Sequence, residues 1–159
     1  LPQHKLDRWA QSQISLVFHE NPIHTYIFKA ESRMGQVMAD EKLLHHILIN
    51  LLTNAVKYSP EGGEIRLELS SADDDLILRV SDQGLGIPEE DQKHLFEPFH
   101  RASNTEQIKG VGLGLVVVLT SVETWGGTIV CQSAIGRGTV FTIKLPLRKI
   151  PRLVDSLVM

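Results

Sequence analysis

Between positions 41 and 58 the apolar residues fall at Leu44, Ile47, Leu48, Leu51, Leu52 and Ala55. Steps of three and four place all six on one face of an α-helix. An earlier segment, 6–20, carries Leu6, Trp9, Ile14, Val17 and Phe18 at looser helical intervals and is stopped by Asn21-Pro22. Residues 23–30 and 35–38 read as short strands. After the breaker Ser59-Pro60-Glu61-Gly62-Gly63, the apolar positions Ile65, Leu67 and Leu69 alternate with polar ones, the period of a half-buried strand. A second strand, 76–80, follows the acidic turn Asp73-Asp74-Asp75. Pro88-Glu89-Glu90-Asp91 has the composition of a helix start. Residues 96–110 lack periodicity and read as a loop, 113–125 as a helix ending at Gly126-Gly127, and 128–132 with 139–145 as a last strand pair. Strands in antiparallel pairs with helices between the pairs predict an α+β fold, a two-layer α/β sandwich.

Composition adds limits rather than detail. With 159 residues and 42% hydrophobic content, one domain can bury a true core. A formal net charge of −3 gives no reason to expect a nucleic-acid partner. The single Cys131 rules out an internal disulfide and reads as a small buried apolar strand residue. The longest apolar run, 113–119, is far short of the ~20 residues a membrane span requires. No signal peptide is evident, so a soluble, cytoplasmic domain is expected, with membrane anchoring of a longer parent left open.

Candidate chemistry begins on the long helix. Four-residue steps drift only about 40° around its axis, so His46, Asn50 and Asn54 form a stripe, joined by Lys57. Amide oxygens are hard neutral ligands that suit Mg²⁺ when phosphates and water complete its shell. Lys57 offers a charge for a phosphate and Tyr58 a ring for a base; an ordinary solvated helix face is the competing explanation. Asp82, at a strand end, precedes Gly84 and Gly86. A carboxylate there suits an adenine amino group, though a plain Asp-Gly-type turn reads equally well from local sequence. Gly110-Val111-Gly112-Leu113-Gly114 opens a helix, where free backbone N–H groups favour phosphate. The spacing is neither the dinucleotide fingerprint nor a P-loop.

Taken in order, these blocks resemble the catalytic ATP-binding domain of sensor histidine kinases, within the gyrase, heat-shock chaperone, histidine kinase and mismatch-repair ATPase superfamily. The resemblance runs over about 39–147. Asn50-x-x-x-Asn54-Ala55-x-Lys57-Tyr58 is similar to the asparagine box. Asp82-x-Gly84-x-Gly86, Gly110-x-Gly112-Leu113-Gly114 and Gly136-x-Gly138-Thr139-x-Phe141 are similar to the three glycine boxes, and Leu95-Phe96-Glu97-Pro98-Phe99-His100-Arg101 to the phenylalanine box.

The resemblance implies a Bergerat-type fold: a mixed, mostly antiparallel sheet packed on three helices. It implies ATP and Mg²⁺ as cofactors, with Asn54 the main metal ligand and Asn50 assisting. Lys57, Arg101 and Lys109 would contact phosphate, Tyr58 would pack near the adenine, and Asp82, supported by Thr139, would hold its amino group. Gly84, Gly86, Gly110, Gly112, Leu113 and Gly114 would line the nucleotide site, under a lid formed by 96–109. Hydrolytic relatives carry a glutamate where this chain has Asn50, so suppressed hydrolysis and transfer to a protein are implied. Val111 replaces a common threonine, and Trp125 stands where histidine is frequent and reads as packing.

As partners the resemblance implies a histidine-bearing dimerisation domain of the same parent and a response regulator. The parent would be a dimer and the isolated domain a monomer. His19-Glu20-Asn21-Pro22 imitates a phosphoacceptor segment but lacks its spacing, so the acceptor is expected outside this chain. The organisation expected is an N-terminal helix at 1–20, which also fits the tail of an upstream dimerisation region, a catalytic domain at 21–148 and a tail at 149–159. An anti-sigma type serine kinase of the same superfamily and a non-catalytic nucleotide-binding module remain the alternatives.

Overall fold

The computed structural model describes residues 3–18, 23–31, 39–98 and 114–147. The predicted strand at 35–38, most of the lid at 96–109 and the tail fall outside them.

Chain order is α1 (Gln3–Phe18), β1 (His24–Ala30), α2 (Glu41–Lys57), β2 (Gly63–Ala72), β3 (Asp75–Asp82), α3 (Glu89–Gln92), α4 (Gly114–Trp125), β4 (Thr128–Ser133) and β5 (Thr139–Pro146). The strands form one five-stranded sheet in the order β1-β2-β3-β5-β4. Pairing is antiparallel except for β1 with β2, which run parallel. That one parallel pair makes the sheet mixed and mostly antiparallel, as the resemblance implies. The reason is connectivity: α2 lies between β1 and β2, and a helical crossover returns the chain in the same direction.

One sheet face is apolar. Ile65, Leu67 and Leu69 of β2, Leu76, Leu78 and Val80 of β3, and Phe141, Ile143 and Leu145 of β5 are all buried. The helices cover this face. From α2 it receives the six apolar residues foreseen in the pattern, each at most 2% exposed. Val118, Val122 and Trp125 bring α4 to the same core, and Leu6 and Ala10 bring α1. The indole nitrogen of Trp125 donates to the Pro146 carbonyl at 2.9 Å, fastening α4 to the end of β5.

Local chemistry sets the element ends. Asp40 caps α2 by accepting from the amides of Lys42 and Leu43, both at 3.1 Å. Asp73 and Asp74 take positive φ values of 52° and 65° in the two-residue turn between the paired Ala72 and Asp75, a left-handed geometry that Asp tolerates better than most residues. Gln13 is buried, and its Oε1 accepts from Nδ1 of His45 at 2.6 Å, which locks α1 to α2. The outer sheet face is polar. There Arg66 bridges Glu64 at 2.7 Å and Glu68 at 3.5 Å, pairs exposed enough to add little stability. Among the described residues no helix is long and apolar enough to cross a membrane.

Candidate functional site

The buried end of the site is built where β3 stops. Asp82 lies opposite Ile65 on β2 and Thr139 on β5, so its side chain shares the sheet face that the helices cover. Burial in this setting raises its carboxyl to about 6. The polar groups beside it, first the Gly84 amide and then the Thr139 amide and the Ser59 hydroxyl, pull the other way. The Gly84 bond measures 2.9 Å to Oδ1. Burial wins over all three, and Asp82 stands ready to lose its penalty once a donor reaches it. Cys131 sits on the same face; burial, and then the charge of Asp82, push its thiol up to about 11 and leave it inert at neutral pH.

The glycines around Asp82 are required by the chain's own backbone. A Cβ on Gly84 would lie 2.0 Å from the Tyr58 carbonyl oxygen, and one on Gly86 2.0 Å from that of Ala134. Gly138 would meet the Asp82 carbonyl at the same distance. Gly86 and Gly138 also hold φ of 72° and 77°, where any other residue is strained. These close approaches let the loop after β3 lie flat between α2 and the β4–β5 hairpin. The Leu85 amide bonds the Tyr58 carbonyl at 2.9 Å, and the Gly136 amide bonds the Leu85 carbonyl at 2.8 Å.

The other end of the site lies between α2 and α4. Asn50 and Asn54 are half-buried, which separates them from an ordinary solvated helix face. Asn50 turns its Nδ2 back to the His46 carbonyl at 2.6 Å, which leaves its Oδ1 directed away from its own helix. A methyl built on Gly114, the first residue of α4, would sit 3.5 Å from Oδ1 of Asn50 and 3.5 Å from Oδ1 of Asn54. Two neutral oxygens thus converge on a helix start. Asn54 and Tyr58 then lead along α2 toward Ser59 and Asp82, and Asn50 to Ser59 spans about 13 Å at the helical rise. Lys57 is exposed in the last turn of α2. Arg101, Lys109, Gly110, Gly112 and Leu113 lie outside the described residues. No group of three His, Cys, Asp or Glu side chains suited to a metal occurs among the described residues, so any ion here relies on amide oxygens and on its ligand.

Four side chains of this region escape a reading of sequence alone. Ser133 of β4 bonds Ile87, Gly138 and Thr139 at once. The amide group of Gln92 donates to the carbonyls of Ile87 at 2.9 Å and Ser133 at 3.1 Å. Ser59 is 1% exposed. Buried His24 bonds the Ser59 carbonyl through Nε2 at 2.8 Å, and its Nδ1 has no partner. Only the strand register brings Ser133 beside Thr139, and a hairpin reading of 128–145 was the one signal that pointed there. A recess of about 450 Å³ on the outer sheet face is lined by the Arg66, Glu64 and Glu68 ion pairs and by Ser81 and Gln132, and it reaches Asp82 at the end of β3.

A sheet covered on one face by helices, with paired amides facing a helix start and a buried carboxyl at a strand end, defines a two-layer α+β domain of the nucleotide-binding kind. Residues 39–149 match the family described as histidine kinase-, DNA gyrase B-, and HSP90-like ATPase, and the chain belongs to it. Within that family the likeness is to the catalytic domains of sensor histidine kinases, and the serine-kinase alternative is not favoured. The circadian input-output histidine kinase CikA of Synechococcus elongatus is 41% identical over 117 residues, which cover 72% of this chain and 16% of that protein. The mycobacterial sensor histidine kinase MprB structure superimposes with a TM-score of 0.79 at 29% identity, covering 90% of this chain and 96% of that one. Full-length ShkA, solved in complex with AMPPNP, gives 0.75 at 29% identity over 92% of this chain and 30% of its own length. The chain therefore spans a minor part of the curated relatives it matches.

Proposed function

We propose that the chain binds ATP with Mg²⁺ between α2, the end of β3 and the start of α4. In the parent protein it passes the γ-phosphoryl group to a histidine of a dimerisation domain. The observation that carries this reading is the convergence of the Asn50 and Asn54 oxygens on Gly114, at the opposite end of the α2 stripe from buried Asp82. The neutral oxygen pair fits Mg²⁺, which Asn54 and Asn50 would hold and which would neutralise phosphate charge. Asp82, aided by Thr139, accepts from the adenine amino group, with Tyr58 beside the ring. Gly84, Gly86 and Gly114 give the backbone its close approach. Lys57, Arg101 and Lys109, with 110–113, belong at the phosphates.

In the transfer the bond from the γ-phosphorus to its bridging oxygen breaks, and ADP leaves with the electron pair. A histidine nitrogen forms the new P–N bond, and the imidazole proton passes to solvent. Such chemistry asks the protein mainly for position and charge. Asn50 cannot accept a proton from water, so it does not activate hydrolysis. The AMPPNP complex of ShkA supports the nucleotide reading, and the sensor kinases among the relatives support a response-regulator aspartate as the next acceptor. The parent would act as a dimer and the isolated domain as a monomer.

The test is to incubate the chain with γ-labelled ATP, Mg²⁺ and a separately supplied histidine-bearing helical domain. Acid-labile, base-stable label on that domain is expected. Acid-stable label would point instead to a serine acceptor, and absence of ATP binding in calorimetry would end the proposal.

A further inference from the structure

The face of α2 that points away from the sheet has no part in the nucleotide site. Lys42, His46, Ile49 and Thr53 lie about 40–100° round the helix from Asn50, on the side away from Asn54. That places them opposite the buried Leu44, Leu48 and Leu51. A face so directed should be fully solvated, yet His46, Ile49 and Thr53 are half-buried and only Lys42 of the four is exposed. The neighbouring helices account for the difference. α1 is fastened on one flank of this face through Gln13 and His45. On the other flank α4 begins at Gly114, beside Asn50 and Asn54. α2 touches both helices and forms the floor between them.

The floor begins where the nucleotide would end. Ser59 and Asp82 mark the base end of the proposed site, and Asn50 lies about 13 Å nearer the start of α2. Ile49 is level with Asn50, His46 is about 6 Å further on, and Lys42 about 12 Å. A nucleophile in line with the bond that breaks must arrive over this stretch. Its charge has one sign. Glu41 is the only carboxylate of α2, and it sits about half a turn round from Asn50. Among the described residues Lys42 takes part in no ion pair.

We propose that the floor formed by Lys42, His46 and Ile49 is the surface on which the phosphoacceptor helix docks, and that this helix presents an apolar side chain and, two turns away, a carboxylate. Ile49 supplies the apolar contact beside the γ-phosphoryl group, and Lys42 the charge that the carboxylate meets. From Ile49 to Lys42 is about 10 Å, two turns of an α-helix, so one straight helix laid along α2 makes both contacts. This inference rests on the transfer reading and adds to it the place where the acceptor is received.

The experiment follows transfer from γ-labelled ATP to the separately supplied histidine-bearing domain over a range of acceptor concentrations. Lys42→Glu is expected to raise the acceptor concentration for half-maximal transfer about tenfold, while the saturated rate and the calorimetric ATP affinity stay within about twofold of the parent chain. High salt should shrink the difference. Lys42→Arg keeps the parent value. A carboxylate-to-lysine change on the acceptor helix should restore transfer to Lys42→Glu and impair it with the parent chain. Ile49→Ala should raise the same concentration without the salt dependence. Unchanged acceptor demand in Lys42→Glu and Ile49→Ala overturns the inference. So does a fall in ATP affinity as large as the fall in transfer, or the failure of every acceptor carboxylate change to restore it. Where Ile49→Ala does not fold, Lys42→Glu, at an exposed position, decides alone. A parent chain that labels the acceptor while both variants match it sinks only the docking surface. A parent chain that binds ATP and labels no acceptor sinks the transfer reading as well.

Discussion

At Asp82 folding and the proposed base contact oppose each other. The chain buries a carboxyl for which the Gly84 hydrogen bond and the neighbouring polar groups do not repay the lost hydration, and the group holds its proton to about pH 6 rather than the ordinary 3.8. Its contribution to stability is therefore full below 3.8 and is lost as pH rises through about 6, since the unfolded chain gives up the proton first. Asp82→Asn removes this dependence. Relative to the parent, the variant is expected to gain stability between about pH 4 and 7, measured by denaturant melts at both ends. Recognition moves in the opposite direction. The Gly84 amide occupies Oδ1, so an asparagine there turns its NH₂ toward the adenine amino group, donor against donor. ATP affinity should drop about 10- to 100-fold. For the parent chain, calorimetry should show ATP affinity falling as the medium is acidified through about pH 6, and a flat profile would remove Asp82 from the base contact.

On α2, structural and chemical residues share one helix, and substitutions separate them. Leu48 is fully buried, and Leu48→Ala is expected to cost about 2–5 kcal/mol through lost transfer energy and the cavity left behind. Asn54→Ala is expected to leave the denaturation midpoint nearly unchanged. It should weaken ATP binding only when Mg²⁺ is present, as titration with and without the ion will show. Unfolding of Asn54→Ala would make the residue structural. The glycines form a third class. Gly84→Ala forces a carbon to within 2.0 Å of the Tyr58 carbonyl, and the loop must shift away from α2. A loss of both melting temperature and nucleotide affinity is expected, in contrast to Asn54→Ala.

For the molecule as a whole, a ligand held between α2, the end of β3 and α4 should tie elements from both layers together. Saturation at a hundred times Kd adds about 2.7 kcal/mol, which for a chain of this size raises the melting midpoint by roughly 5–10 °C. Adding ATP and Mg²⁺ should produce that shift, and chelating the metal should remove most of it; a midpoint indifferent to both would contradict the nucleotide site. The proposed phosphoryl transfer would need an acceptor helix as well, and this chain spans only 16% of CikA.

Much of this architecture was legible before any coordinates. Heptad-like spacing on α2, alternation on β2 and the glycine-proline breakers are local signals, and each states a burial pattern that a short segment fixes by itself. The asparagine pair and Asp82 stood out as residue types at short spacings, and their expected roles came from the ordered set of motifs and its resemblance rather than from any one element. Local pattern could not decide strand order, the parallel pairing of β1 with β2, or the contacts of Ser133, Ser59, Gln92 and His24. Those depend on which strands become neighbours, and that is set by burying the whole apolar sheet face under three helices at once. The sequence alone determined the character of the main elements and which side chains are candidates for chemistry. Tertiary structure alone decided what those side chains face, because hydrogen-bond partners and lost hydration belong to pairs of elements and are written in neither one.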